Sequence, residues 1–199
     1  MSLIQIEKYL QEIILPELEN GRENWDKPHT ISVVHYLKLI LKNSPQLVVD
    51  EEVLTISAYA HDWGYAGIFK KGVKVQEYIS SDAKKLHMEL GAKRISQLLE
   101  GNAFSMLTSA QKSRIVHLVA IHDSLKILTN LDEFILMEAD TLGALDISFV
   151  TPTFDAVTNE KYMNTILKER LPLFVTAYGK SQFLNLFEQR KSYFSSKRT

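Results

Sequence analysis

The chain has no cysteine in its 199 residues. That removes disulfides, thiolate metal ligands and cysteine nucleophiles, and it suits a reducing compartment. Any bound metal must be held by His, Asp or Glu. Neither sign of charge dominates: 23 Lys and Arg stand against 24 Asp and Glu, for a formal net charge of −1. No field exists that would by itself hold a nucleic-acid polymer or an anionic membrane, so the expected partner is a small molecule. Long apolar runs are missing as well. The first stretch, MSLIQIEKYLQEI, interrupts its apolar residues with Gln, Glu and Lys. It reads as neither a signal peptide nor a spanning helix, and a cytoplasmic protein is expected. No segment alternates with period two, and no repeat or low-complexity tract occurs beyond the short polar tail SSKRT, so strands are not expected.

What the chain does have is 45% hydrophobic residues, enough to fill one core, and a single domain over residues 1–199 is the default. Apolar residues recur at helical spacing. Ile6, Leu10, Ile13 and Ile14 mark a first helix that Pro16 ends or kinks, and Val33, Val34, Leu37, Ile40 and Leu41 mark a second, capped by Asp26 or a neighbour. Asp50, followed by Glu51 and Glu52, opens a third that runs to His61-Asp62 and is stopped by Gly64. Residues 63–80 lack a clean period and read as a loop carrying Gly64, Gly67, Gly72 and three lysines. Ser81 caps a fourth helix, roughly 82–100. Thr108–Gln111 and Asn130–Glu133 are capping-box patterns for a fifth and a sixth, the latter through Leu145. Two more segments, about 158–170 and 173–194, flank Pro172. The sum is an all-α bundle of about seven to eight helices.

Six histidines occur, at 29, 35, 61, 87, 117 and 122, and helical geometry decides which can meet. His29 shares a face with Ser32, Val33 and Tyr36, whereas His35 points about 240° around the same helix. His122 continues the stripe of Ile115, Leu118 and Val119, whereas His117 projects about 140° away. His87 precedes Leu90 and Gly91 on a packed side. Asp140 sits within FILMEADTLGAL, and a carboxylate on such a core-facing stripe needs a strong partner, either a cation or a Lys or Arg. Taken singly, each residue has an ordinary explanation as a hydrogen-bonded core group. The His-Asp doublet is no stronger: two copies occur, at 61 and 122, where composition alone gives roughly 0.3. As a set the residues mean more, because four helices each turn a His or Asp inward, which is how bundles build metal sites. Imidazole mixed with carboxylate suits Mn, Fe, Co, Ni or Zn better than Mg or Ca.

The order His29, His61-Asp62, Asp140, in the contexts HTISVV, AYAHDWG and EADTLGALD, resembles the HD-domain superfamily of metal-dependent phosphohydrolases over about residues 26–146. The C-terminal helices, 152–195, would pack on that core. The resemblance implies that His29, His61, Asp62 and Asp140 bind one divalent metal. It also implies that His87, in HMELGAKRI, and His122, in VAIHDS, add a second ion bridged by Asp62. Asp62 and His87 are then the expected catalytic residues, and the expected reaction is cleavage of a small phosphate ester, a nucleotide among the candidates, by metal-bound hydroxide. Two positions depart from the family's pattern: Tyr65 stands where many members have Lys after the doublet's Gly, and Thr141 replaces a basic residue after the last Asp.

Lys70, Lys71 and Lys74 are candidate substrate-binding replacements, or simply a solvated loop. Trp63, Tyr65 and Phe69 either stack on a base or pin that loop. The Gly-Tyr-Ala here follows the doublet directly, which differs from the cyclic-dinucleotide phosphodiesterases of the HD-GYP branch. Two alternatives keep the fold: a di-iron oxygenase, or a non-catalytic module that binds a ligand or partner. Phe174, Tyr178, Phe183, Leu186 and Phe187 are expected to complete the core or a contact within a homo-oligomer.

Overall fold

The computed structural model describes residues 1–68 and 81–196. Among them are eight α-helices and no strand: α1 Leu3–Leu18, α2 Asp26–Asn43, α3 Glu51–Ala60, α4 Ser81–Leu99, α5 Ser109–Ile121, α6 Leu131–Leu145, α7 Ala156–Glu169 and α8 Ala177–Ser196. None is long and apolar enough to cross a membrane.

Most boundaries follow from side chains that satisfy the orphan amides of a first turn. The Asp50 carboxylate accepts from Val53 N at 3.0 Å and starts α3. At α5, Gln111 N donates to Thr108 Oγ1 and Thr108 N to Gln111 Oε1, a reciprocal capping box. Glu133 accepts from the amides of Thr129 and Asn130 at the head of α6. Asp155 does the same for α7 through Thr158 N. The last two helices are displaced a few residues from the spacing-based expectation, with Pro172 in the turn between them.

Three local expectations change. Pro16 does not stop α1, which continues to Leu18. Asp26 is not a cap: it lies inside the first turn of α2, fully buried, with its carboxylate held by the Nε of Arg22 at 2.6 Å. Gly64 stops α3 by no left-handed turn. It lies in a 3-10 turn, Trp63–Tyr65, where an added Cβ would come 1.8 Å from the carbonyl oxygen of His87. Gly64 therefore serves to let that turn lie directly on the backbone of α4, beside His87.

α3 is the central rod, buried from Val53 through Ala60, and α1, α2 and α5 pack around it. α2 packs chiefly on α6. Gly143 makes that contact close, since a Cβ there would sit 2.9 Å from the backbone nitrogen of Val33. α8 packs on α6 and touches α2, and Phe183 and Leu186 enter the core with Phe174. The ends of α3 and α5, the middle of α4 and the inner faces of α2 and α6 thus converge on one region.

Candidate metal centre

Six side chains meet there. His29 comes from α2, His61 and Asp62 from the residues directly after α3, His87 from α4, His122 from the residue directly after α5, and Asp140 from α6. None is more than 7% exposed. They form two trios, His29–His61–Asp140 and Asp62–His87–His122, each with donor atoms within 4.8 Å of one another and each able to hold a metal ion. Asp62 stands between them. Its Oδ2 lies 3.6 Å from the Nε2 of both His29 and His61, and its Oδ1 lies 3.4 and 3.5 Å from the Nε2 of His87 and His122. One carboxylate faces both trios, one oxygen to each.

The imidazoles are oriented by the helices that carry them. His61 Nδ1 donates to Ala58 O at 2.8 Å, His87 Nδ1 to Ala83 O at 3.3 Å and His122 Nδ1 to Val119 O at 2.9 Å. A ring that spends its Nδ1 hydrogen on a carbonyl presents a bare Nε2 lone pair when neutral. His87 and His122 both do so, with their Nε2 atoms 3.2 Å apart. Two lone pairs facing at that distance repel unless a proton or a cation lies between them. The Nε2 atoms of His29 and His61 lie 3.3 Å apart, but His29 differs: its Nδ1 has no partner among the described residues, and its Nε2 lies 3.0 Å from Asp140 Oδ1.

The charge states suit a cation. Burial pushes His87 down to about 4, so it is neutral above that. Burial also lowers His61. Burial opposes ionisation of Asp62 and Asp140 too, but His61 and Arg22 around the first, and Arg170 and His29 around the second, outweigh it and hold both carboxyls well below their usual range. A neutral His87, a lowered His61 and two anionic carboxylates fit a divalent transition ion, although at His122 burial is outweighed by the Asp62 carboxylate beside it, which raises that imidazole.

Around the trios lie groups that sequence reasoning did not single out. Arg22, in the turn before α2, donates through Nη2 to Asp62 Oδ2 at 2.5 Å, and its guanidinium lies 3.9 Å over the ring of Tyr65. Tyr65 in turn stacks on His87, with centroids 4.0 Å apart. Arg170, just after α7, donates through Nη1 to Asp140 Oδ2 at 2.6 Å and to Thr141 Oγ1 at 3.0 Å, and through Nη2 to Asp123. Of the two partners foreseen for Asp140, the Lys or Arg is Arg170, and the trio that Asp140 forms with His29 and His61 is able to hold the other, a cation. A cation also reaches Thr141, from another element. Burial pushes the Asp123 carboxyl up, yet Arg170, Lys84 and His122 together hold it at about 2. The one advance signal for Asp123 was the second His-Asp doublet, whose His122 belongs to a trio.

The remaining candidates separate as their helical faces required. His35 is exposed against Phe149, and His117, with its side chain 47% exposed, meets Glu133 at 3.3 Å; neither approaches the trios. Trp63 pins its turn by donating to Glu17 at 2.9 Å under the guanidinium of Arg94. Phe69 and the lysines at 70, 71 and 74 lie outside the described residues.

His29, Asp62 and Asp140 open onto a cleft of about 400 Å³. Trp25, Phe154 and Tyr162 form an aromatic side, and Arg22, Lys84 and Arg170 bring positive charge to it. No curated protein and no solved structure matches the chain. A family model, the HD domain, does match, over residues 28–145, and that span takes in all six clustered residues while leaving Arg22 and Arg170 outside it. A match over more than half of the sequence, with every trio residue inside it, makes this chain a member of the HD-domain family, of the superfamily of metal-dependent phosphohydrolases.

Proposed function

We propose that the protein is a cytoplasmic phosphohydrolase that cleaves a small phosphate ester, with a nucleotide as the leading candidate. The observation that carries this reading is Asp62, one buried carboxylate turned to two imidazole trios at the floor of a cleft. In this reading His29, His61 and Asp140 hold one divalent ion of the Mn, Fe, Co, Ni or Zn type, His87 and His122 hold a second, and Asp62 serves both. Such ions supply Lewis acidity, which activates water near neutral pH and offsets charge on phosphate oxygens.

The chain's own residues do the rest. Asp62 fixes the spacing of the two trios. His87, neutral above about 4, is too weak a base to carry the reaction's proton at neutral pH, and its catalytic part is to complete the second trio. The aromatic side of the cleft takes the leaving group, with Trp25 and Phe154 centroids 6.5 Å apart and Phe154 and Tyr162 5.4 Å apart. Flat rings so placed stack on a nucleobase or another planar group. Lys70, Lys71 and Lys74 are a proposed supplement to phosphate binding from the segment that follows the 3-10 turn.

A panel of phosphate monoesters and diesters, assayed with Mn, Fe, Co and Ni, tests the reading. Hydrolysis of at least one class by the metal-loaded protein, lost in Asp62→Ala, supports it. Stoichiometric metal with no hydrolysis across the panel defeats it, and substrate-dependent O2 uptake by the iron form moves the chain to oxygenase chemistry.

A further inference from the structure

Two partly buried arginines from outside the family's segment stand over the two ligand carboxylates, and each is held by a second acid that belongs to neither trio. Arg22 gives Nε to Asp26 Oδ1 at 2.6 Å and Nη2 to Asp62 Oδ2. Arg170 gives Nη1 to Asp140 and Thr141, and Nη2 to Asp123. A guanidinium carries five N–H donors. Among the described residues nothing accepts from Nη1 of Arg22, nor from Nε of Arg170, and one Nη2 hydrogen of Arg170 is also spare. Both residues line the cleft.

Loading the trios with cations commits the charge of Asp62 and Asp140 to the ions. Arg22 then keeps Asp26, and Arg170 keeps Asp123, so both guanidiniums stay in place with donors to spare and less anion to share. Stacking on Tyr65 fixes the plane of Arg22. The group that answers two fixed forks is an anion with several equivalent oxygens and more than one charge.

We propose that Arg22 and Arg170 form a paired guanidinium site for the dianionic phosphate of a monoester, which selects monoesters over diesters. The proposal rests on the hydrolase reading and names the substrate class within it. A monoester offers three terminal oxygens and two charges, enough for both arginines and the ions; a diester offers one charge and fewer free oxygens. The counter-acids set how strongly each arginine binds the anion, so removing one strengthens the site instead of weakening it.

Calorimetric titration of the full metal-loaded chain with inorganic phosphate and with dimethyl phosphate, at about pH 8 where the former is mainly a dianion, tests this. Arg22→Lys and Arg170→Lys should each weaken inorganic phosphate about tenfold or more, since a charge-assisted hydrogen bond is lost, and leave dimethyl phosphate within about twofold. Bound metal, by elemental analysis, should stay at the wild-type level. Asp123→Asn should move the other way and bind phosphate several-fold tighter. Equal losses for both anions, metal lost together with phosphate, or weaker phosphate binding in Asp123→Asn overturns the proposal. Phosphate binding that depends on the arginines, with no ester hydrolysed, leaves the pair standing and removes the hydrolase reading. Monoester hydrolysis that survives both Lys substitutions does the reverse.

Discussion

Glu138 and Asp140 stand two residues apart on α6, both buried, on opposite sides of the helix. Glu138 faces α8. Its carboxylate accepts from the amides of Val175 and Thr176 and from the Thr176 hydroxyl at 2.6 Å, which closes the start of α8. Asp140 faces α2, where its Oδ1 meets the Nε2 of His29 and, at 3.8 Å, of His61. Burial raises the pKa of Glu138, whereas burial of Asp140 is overridden by Arg170 and the imidazoles. The first acid is met by hydrogen-bond donors at the start of α8, where the Thr176 hydroxyl also accepts from Gly179 N. The second shares its oxygens between Arg170 and the imidazole nitrogens of a trio that can hold a metal. A buried charge is thus not in itself a sign of chemistry; the nature of its partners separates a structural acid from a ligand.

The largest effect should come from exchanging those roles by mutation. Asp62→Ala should empty both trios and lower turnover on the order of a thousandfold, with metal content read by elemental analysis. Glu138→Gln should keep its metal and instead lose about 1–3 kcal/mol of stability, because amide donors at α8 lose a charged acceptor. If Glu138→Gln loses metal as fully as Asp62→Ala, the two faces of α6 are not independent.

Gly143→Ala probes the boundary between the faces. The new methyl meets the backbone of Val33, α2 and α6 must separate, and about 1–3 kcal/mol should be lost. Because His29 and Asp140 ride on those helices, metal affinity should fall with stability, a pairing that thermal melts with and without added divalent ion detect.

The smallest effect concerns a third acid of α6. Glu133, bonded to two amides and to Arg114, keeps its carboxyl at about 2 although burial pushes it up, against an ordinary value of 4.5. Its folded-state pKa is depressed, so its contribution is fully present above about 4.5 and fades as pH falls toward 2. Glu133→Gln should flatten acid destabilisation in that window and leave metal content alone. An unchanged acid melting profile would remove Glu133 from the account.

Much of this was legible in the sequence because it is local. Asp50, the pair Thr108 and Gln111, and Asn130 with Glu133 mark helix starts within four residues, and the same periodicity put His29, His87 and Asp140 on inward faces while turning His35 and His117 away. Arg22, Asp123 and Arg170 were not legible. The bonds of Arg22 to Asp62 and of Arg170 to Asp140 and Asp123 span 30 to 47 residues, across turns with no helical period to fix direction. Asp26 or a neighbour reads as a cap because an acid before an apolar stripe normally is one; the i,i+4 spacing from Arg22 fits the ion pair found there but does not announce that the same guanidinium reaches Asp62. Gly64 read as a helix stop for the same reason, since the α4 backbone it admits is distant in sequence.

The position of Trp25 has a practical consequence. The chain has two tryptophans. Trp63 is tied to Glu17 on the α1 side, while Trp25 lines the cleft with its ring 5.9 Å from His29 and 5.9 Å from the guanidinium of Arg22. An indole so placed emits from within the polar field that a metal or anion alters on arrival. With Trp63→Phe the protein carries a single tryptophan, at its own site, and exciting that indole apart from the eight tyrosines lets occupancy be followed by light without a label or a turnover assay.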